Sequence, residues 1–172
     1  DYRIIIKKWY FAAIAAAVLA GSVFLFGMRV SGTDDTAWIT LPFGMTVQPP
    51  EFIKPCFIIT FTYHICLLKE KNLLQKPWAG LTLLLHAALP IAVIHFQGDD
   101  GTALVFGIVF PVMMLLGGVK LRYFAILGGI AAAGLPLVWR YVMNDAQKNR
   151  LLSLFDAENT AMADYAYQQY QG

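Results

Sequence analysis

Apolar residues occur in five long runs along the chain, with short polar segments between them. The runs cover residues 9–30, 52–68, 78–96, 101–119 and 123–142. Because an α-helix rises about 1.5 Å per residue, a run of about 20 residues crosses the ~30 Å hydrocarbon core of a bilayer. The pattern therefore predicts an all-α fold, a polytopic transmembrane helical bundle with about five spans. Residues 1–142 form the predicted membrane domain, and residues 143–172 form the start of a large loop outside it.

The composition agrees with a membrane protein and excludes some other classes. Hydrophobic residues make up 58% of the chain and charged residues 14%, which is too apolar for a soluble domain. The formal net charge is only +2, so we expect no nucleic-acid partner. Cys56 and Cys66 lie in one apolar run without a metal-site spacing. The first run has the basic start of a signal peptide, but it continues through residues 23–26, which favours a span.

The charged residues between the runs predict an orientation. One set of segments is basic, with Lys69, Lys71, Lys76, Lys120 and Arg122. The alternate segments are acidic, with Asp34, Asp35, Asp99 and Asp100. By the positive-inside rule, the amino end and the basic segments face the cytoplasm, and the final loop is extracytoplasmic.

The first candidate site is the segment 48–54 (QPPEFIK), at the start of the second run. Glu51 falls in the first helical turn, where the helix dipole favours an anion, and Lys54 shares its face. Two interpretations stay open. The pair is either a capped helix start with an interfacial ion pair, or a charged pair that lines a polar cavity.

The second candidate is the turn 97–102 (QGDDGT), between the third and fourth runs. One aspartate can cap the following helix. We expect the other to be free to bind a cation or to act as a general base.

Other candidate residues lie in the predicted outer segments. Trp38 is either an aromatic anchor at the membrane interface or a substrate contact. Gln147 and Arg150 lie in the final loop, where an arginine either clamps a phosphate or is solvated. His64 and His86 lie within apolar runs, and we expect neighbouring helices to satisfy them as neutral groups.

Taken in order, these segments resemble the SEDS family (RodA/FtsW/SpoVE-like) of peptidoglycan glycosyltransferases. The series is 38–39 (WI), 48–54, 97–102, 147–150 (QKNR), 155–156 (FD) and 167–171 (YQQYQ). The family patterns are QPSE-x-x-K and QPDLGT. This chain has Pro50 in place of the serine, and Gly98 and Asp100 in place of the proline and leucine.

The resemblance implies a function and a setting. Family members have about ten spans, lie in the bacterial cytoplasmic membrane, polymerise lipid II in cell-shape maintenance or division, and work with a class B penicillin-binding protein. This chain would then be a fragment, inactive alone, that covers roughly spans three to seven. The acid usually regarded as catalytic in the family would lie beyond Gly172.

The resemblance also assigns roles to residues. Asp99 becomes the candidate catalytic residue of this chain, and the candidate substrate-binding residues are Trp38, Glu51, Lys54, Gln147 and Arg150. The leaving diphosphate needs positive charge, from these basic side chains or from a divalent cation such as Mg²⁺.

Two other functions remain open at this point, a flippase or transporter of lipid-linked precursors and a non-catalytic membrane scaffold. A transporter is expected to place its ionisable groups near the bilayer centre. Glu51, Lys54 and Asp99 all fall at the predicted outer face instead.

Overall fold

The computed structural model describes residues 6–29, 36–143 and 145–153. Its helices are α1 (Trp9–Phe26), α2 (Pro49–Glu70), α3 (Pro77–Phe96), α4 (Asp100–Leu116), α5 (Leu121–Leu137) and α6 (Asp145–Ser153). Two short strands, β1 (Ile39–Thr40) and β2 (Thr46–Val47), form an antiparallel hairpin around the 3₁₀ turn Pro42–Gly44. A π-helical turn, Val138–Val142, follows α5. The predicted fold class, an all-α membrane protein, is confirmed.

Four helices of the described chain are long and apolar enough to cross a membrane. They are α1, α2, α3 and the stretch Leu121–Tyr141. Helix α4 is also apolar but has 17 residues, which corresponds to about 26 Å. It ends three residues before the predicted limit because Gly117 and Gly118 follow, and Gly118 takes a left-handed φ of 86°.

Prolines set the starts of two helices. Helices α2 and α3 begin at Pro49 and Pro77, where a residue without an N–H group loses no helical hydrogen bond. The starts therefore lie slightly earlier than the apolar runs alone indicate.

The chain divides into two compact units, Asp1–Tyr123 and Phe124–Gly172. Aromatic rings of α2 and α4 form the core of the first unit. The ring centroids of Phe57 and Phe106 are 5.1 Å apart, and those of Phe61 and Phe110 are 5.6 Å apart. Offset and edge-to-face aromatic contacts of this kind stabilise helix packing beyond their buried area.

The outward faces of the helices are apolar. Leu85 and Leu89 on α3 and Leu104 on α4 all have well-exposed side chains. Large exposed apolar faces are unfavourable in water, so these faces are suited to contact with lipid. The chain is thus a multi-pass membrane protein.

Gln75 joins two loops at one end of the first unit. Its Nε2 donates to the carbonyl of Gly118 (2.7 Å), and its Oε1 accepts from the backbone N–H of Lys120 (3.3 Å). The hydroxyl of Tyr123 donates to the carbonyl of Gln75 at 2.9 Å. We call this set the Gln75 clasp. It brings the two basic loops, α2–α3 and α4–α5, together at the same end.

Two glycines, Gly107 in the middle of α4 and Gly117 directly after it, give a matched test of the packing. A Cβ at Gly117 would lie 2.7 Å from Cγ2 of Ile65, whereas a Cβ at Gly107 meets no described atom within 4 Å. We expect Gly117→Ala to lower the free energy of unfolding by about 1–3 kcal/mol through overpacking. Gly107→Ala should leave it unchanged or raise it by up to about 1 kcal/mol, because alanine favours a helix interior.

Thermal unfolding of both variants in the same detergent measures the difference. Equal stability of the two variants would contradict the close approach of α2 and α4 at Gly117.

Candidate functional site

Several helix ends of the first unit meet at a cluster of polar residues. We define the polar corner as Gln48, Glu51, Lys54, Gln97 and Asp99. Gln48 precedes α2, Gln97 follows α3, and Asp99 precedes α4. The corner therefore contains the two motifs that the sequence singled out.

Asp99 connects the starts of α2 and α4. Its Oδ1 accepts from the backbone N–H of Thr102 (2.9 Å), so it is the N-cap of α4. Its Oδ2 accepts from Nε2 of Gln48 (3.0 Å), across 51 residues of sequence. The residue is only 8% exposed. The structure thus brings the two motifs together through one buried carboxylate.

Asp100 is not free, contrary to the expectation from the sequence. Its Oδ1 lies 2.5 Å from Nδ1 of His95. The contact forms because Gly98, with a φ of 82°, turns the chain back between α3 and α4. Both aspartates of the turn therefore have partners, and the pairing with His95 was not predicted.

Glu51 and Lys54 form an ion pair at the surface of the corner. Lys54 Nζ lies 2.7 Å from Glu51 Oε1, with the two side chains 27% and 51% exposed. The stem of Lys54 lines a small cavity of about 80 Å³ beside Phe57 and Phe106. Apolar packing of the stem positions the ammonium group while leaving it accessible. The ion-pair interpretation fits this local geometry, and the role in substrate binding stays a prediction.

Gln97 is a buried connector that the sequence analysis did not identify. Its Nε2 donates to the carbonyl of Ala20 in α1 (3.1 Å). The backbone carbonyl of Gln97 accepts from the backbone N–H (3.0 Å) and the hydroxyl (2.7 Å) of Thr36. Its Oε1 is buried without a hydrogen-bond partner among the described residues. The position of this glutamine, between an apolar run and a turn that contains glycine, is the feature of the sequence that could have indicated this role.

Trp38 lies beside the end of α1. Its carbonyl accepts from the backbone N–H of Met28 at 2.8 Å, and its side chain is half-buried. This bridge leads directly into the hairpin that begins at Ile39. Its contact with substrate stays a prediction.

Gln147 and Arg150 belong to α6, within the second compact unit. Gln147 is half-buried, and the side chain of Arg150 lies outside the described residues. The segments 155–156 and 167–171 of the family series also lie outside them. The substrate-binding roles of Gln147 and Arg150 stay predictions.

The described residues contain no group of three or more His, Cys, Asp or Glu side chains that could hold a metal ion. Proteins usually hold Mg²⁺ through one or two carboxylates together with substrate phosphates. At the polar corner, Asp99 already accepts two hydrogen bonds and Glu51 is paired with Lys54. These residues do not fit a metal centre formed by the protein alone, and the divalent cation stays a prediction.

Substitution of Asp99 tests its structural role as a hydrogen-bond acceptor. Asp99→Ala leaves the N–H of Thr102 and the amide of Gln48 without their acceptor, and we expect a loss of about 1–3 kcal/mol in the free energy of unfolding. Asp99→Asn should stay within about 1 kcal/mol of the wild type, because asparagine also caps helices and the Gln48 amide can rotate to match it. Thermal unfolding of both variants checks this, and an equal loss in the two would contradict the described bonds.

Comparison with known proteins gives the family. The chain matches the cell cycle protein family FtsW/RodA/SpoVE over residues 1–172. It is similar to the probable peptidoglycan glycosyltransferase FtsW of Geobacter sp. (strain M18), with 32% identity over 162 residues, 90% of this chain and 41% of that protein. The corresponding FtsW of Alcanivorax borkumensis is 28% identical over 131 residues, 75% of this chain and 33% of that protein.

A third relative is the peptidoglycan glycosyltransferase MrdB of Escherichia coli (strain K12). It is 26% identical over 150 residues, 85% of this chain and 38% of that protein. The chain thus spans about a third to two fifths of the length of these relatives. No solved structure matches it significantly. Since the family match covers the whole chain and its polytopic helical fold agrees with it, the chain belongs to the FtsW/RodA/SpoVE family.

Proposed function

We propose that this chain forms part of a membrane-embedded peptidoglycan glycosyltransferase that polymerises lipid II. The polar corner would be the substrate-facing rim of that enzyme. The observation that carries the proposal is the bond between Gln48 and Asp99, which joins the two motifs of the family in one place. The names of the relatives, peptidoglycan glycosyltransferases FtsW and MrdB, support the reaction class.

The reaction needs a base and a stabilised leaving group. A carboxylate removes the proton of a sugar hydroxyl, the oxygen attacks the anomeric carbon of a second precursor, and the lipid diphosphate departs. Negative charge grows on the diphosphate as the bond to the sugar breaks, so a fixed cation nearby lowers the barrier. Lys54 is the residue that we propose for this role, because its ammonium group is accessible and its stem is packed.

Asp99 serves this site as a positioning residue in our proposal. Its carboxylate is buried and accepts two hydrogen bonds, whereas a general base must reach the substrate hydroxyl within about 3 Å or through one water. By holding the starts of α2 and α4 together, Asp99 fixes where Glu51 and Lys54 stand. The catalytic role that the sequence assigned to Asp99 is the alternative, and the two make different predictions.

The setting follows from charge. We propose the bacterial cytoplasmic membrane, with the Gln75 clasp and its basic loops on the cytoplasmic side and the polar corner outside. A corner in that position meets lipid-linked precursor on the outer face, where a class B penicillin-binding protein would act as the partner. The role would be in cell-shape maintenance or cell division.

The distribution of charge along the helices favours glycosyl transfer over transport. Glu51 and Lys54 lie within the first two turns of α2, and Asp99 caps α4. A transporter is expected to bind its substrate near mid-bilayer. The full-length protein can be reconstituted and tested for both activities. If it flips labelled lipid II but does not polymerise it, the result would contradict the glycosyltransferase proposal and favour a flippase.

The role of Lys54 is tested in the full-length protein. Lys54→Gln should lower the polymerisation rate at saturating lipid II by about 10²-fold, since one donor to the developing charge is lost. Lys54→Arg keeps the positive charge and should lower the polymerisation rate less. The matched control is Lys71→Gln, at the opposite end of α2, which should polymerise at the wild-type rate. Gel analysis of glycan chains measures all four proteins, and a wild-type rate for Lys54→Gln would refute the assignment.

The role of Asp99 is tested with the same assay. Loss of a general base lowers a rate by about 10²–10⁴-fold. If Asp99 is a positioning residue, we expect the polymerisation rate of Asp99→Asn to stay within about tenfold of the wild-type rate. The rate of Asp99→Ala should fall further. If Asp99→Asn instead falls by 10²-fold or more at unchanged stability, Asp99 is the catalytic residue that the sequence indicated.

A further inference from the structure

Two histidines meet inside the spanning helices, away from the polar corner. His64 of α2 and His86 of α3 have their Nδ1 atoms 3.1 Å apart. The Nε2 atom of His86 lies 3.2 Å from the hydroxyl of Thr60, and that hydroxyl is 3.1 Å from the carbonyl of Phe57. Sequence spacing could not reveal this pairing, because the two partners lie on different helices.

When all three contacts are made at once, each bond has only one possible direction in the neutral state. A carbonyl only accepts, so the hydroxyl of Thr60 donates to Phe57 and accepts from Nε2–H of His86. A neutral imidazole carries one N–H group, so Nδ1 of His86 is then an acceptor. It follows that His64 carries its proton on Nδ1 and donates to His86. The chain of bonds runs from His64 through His86 and Thr60 to the backbone of α2.

The surroundings of the pair are aromatic and apolar. The rings of Phe57 and Phe61 meet His86 edge-on, at 6.0 Å and 5.3 Å. The titratable neighbours of His64 on α2 are Tyr63 and Cys66, and the ring of Tyr63 stacks on Trp9 of α1 at 5.0 Å. Helix α4 contributes phenylalanine rings to the same cluster.

The charged groups stand at the helix ends. Lys69 and Glu70 end α2, about 8 Å along the axis from His64. Lys8 precedes α1, and Lys76 precedes α3. The hydrogen bonds and ion pairs among the described residues bring neither a carboxylate nor an ammonium group to the two rings. A positive charge on the pair would therefore have no counter-ion beside it within the described part of the chain.

We propose that His64 and His86 form a single-proton site within the membrane region that locks α2 to α3. One proton adds to the lone pair on Nε2 of His64, which has no hydrogen-bond partner among the described residues, and leaves every bond of the chain in place. A second proton would have to occupy Nδ1 of His86, where it faces the N–H of His64. That state breaks the bond between the helices, so strong acid separates α2 from α3 at this level. The inference does not depend on the proposed function.

Nitrogen NMR of the imidazoles in lipid nanodiscs tests the proposal directly. At about pH 8, we expect His64 protonated on Nδ1 and His86 on Nε2. On acidification, His64 should gain a proton on Nε2 before His86 is protonated. His95→Ala removes the third histidine and should leave both signals unchanged. A different tautomer at either ring, or protonation of His86 before His64, would overturn the proposal.

Two substitutions of Thr60 test whether its hydroxyl fixes the tautomer of His86. Thr60→Val has nearly the same shape but no hydroxyl, and His86 should then populate both tautomers. Thr60→Ser keeps the acceptor and should leave the spectrum unchanged. An unchanged spectrum in Thr60→Val would contradict the chain of bonds.

The lock itself is measured by a double-mutant cycle. His64→Ala, His86→Ala and the double variant should show a coupling of about threefold in the unfolding equilibrium at about pH 8, the typical size for bonds between membrane helices. The coupling should disappear in strong acid. Additive effects of the two substitutions at about pH 8 would show that the histidines do not hold the helices together.

Discussion

Hydrocarbon offers no hydrogen-bond partners, and this constraint accounts for where polar groups occur in the chain. A polar group left without a partner in such a medium costs several kcal/mol. Most of the polar contacts therefore gather at the two ends of the first unit, in the polar corner and the Gln75 clasp. Where a polar group does lie within a span, its own helix or a neighbouring helix satisfies it: Ser22 donates to the carbonyl of Leu19, and His64 pairs with His86.

The polar corner shows how one buried group can serve an exposed one. Asp99 accepts from two donors that belong to different helix starts. Because both helices begin at fixed points, the ion pair of Glu51 and Lys54 stands on a rigid base. Functional side chains on rigid elements keep their geometry better than side chains on free loops. In the proposed function, the corner would depend on Asp99, a residue that need not touch substrate.

The pattern of apolar runs was enough to predict the helical class, because each run is as long as a bilayer is thick. Local exceptions came from residues that interrupt a helix, such as Gly118, which ends α4 early. The site was harder to predict. The two motifs were recognised, but the bond between Gln48 and Asp99 joins residues 51 positions apart. Rules based on local sequence spacing do not predict a bond across so large a separation. The same holds for the pair of His64 and His86.

The Gln75 clasp has a consequence for how the chain is made. Its two side-chain bonds close loops of 43 and 45 residues, and these loops enclose the hairpin of α3 and α4. A ribosome adds about 5–20 residues per second, so Gln75 waits about 2–9 s after its own synthesis for its partners. During that interval its amide is satisfied by water or lipid headgroups. The clasp can form only after α4 has returned across the bilayer, and its closure marks the insertion of that hairpin.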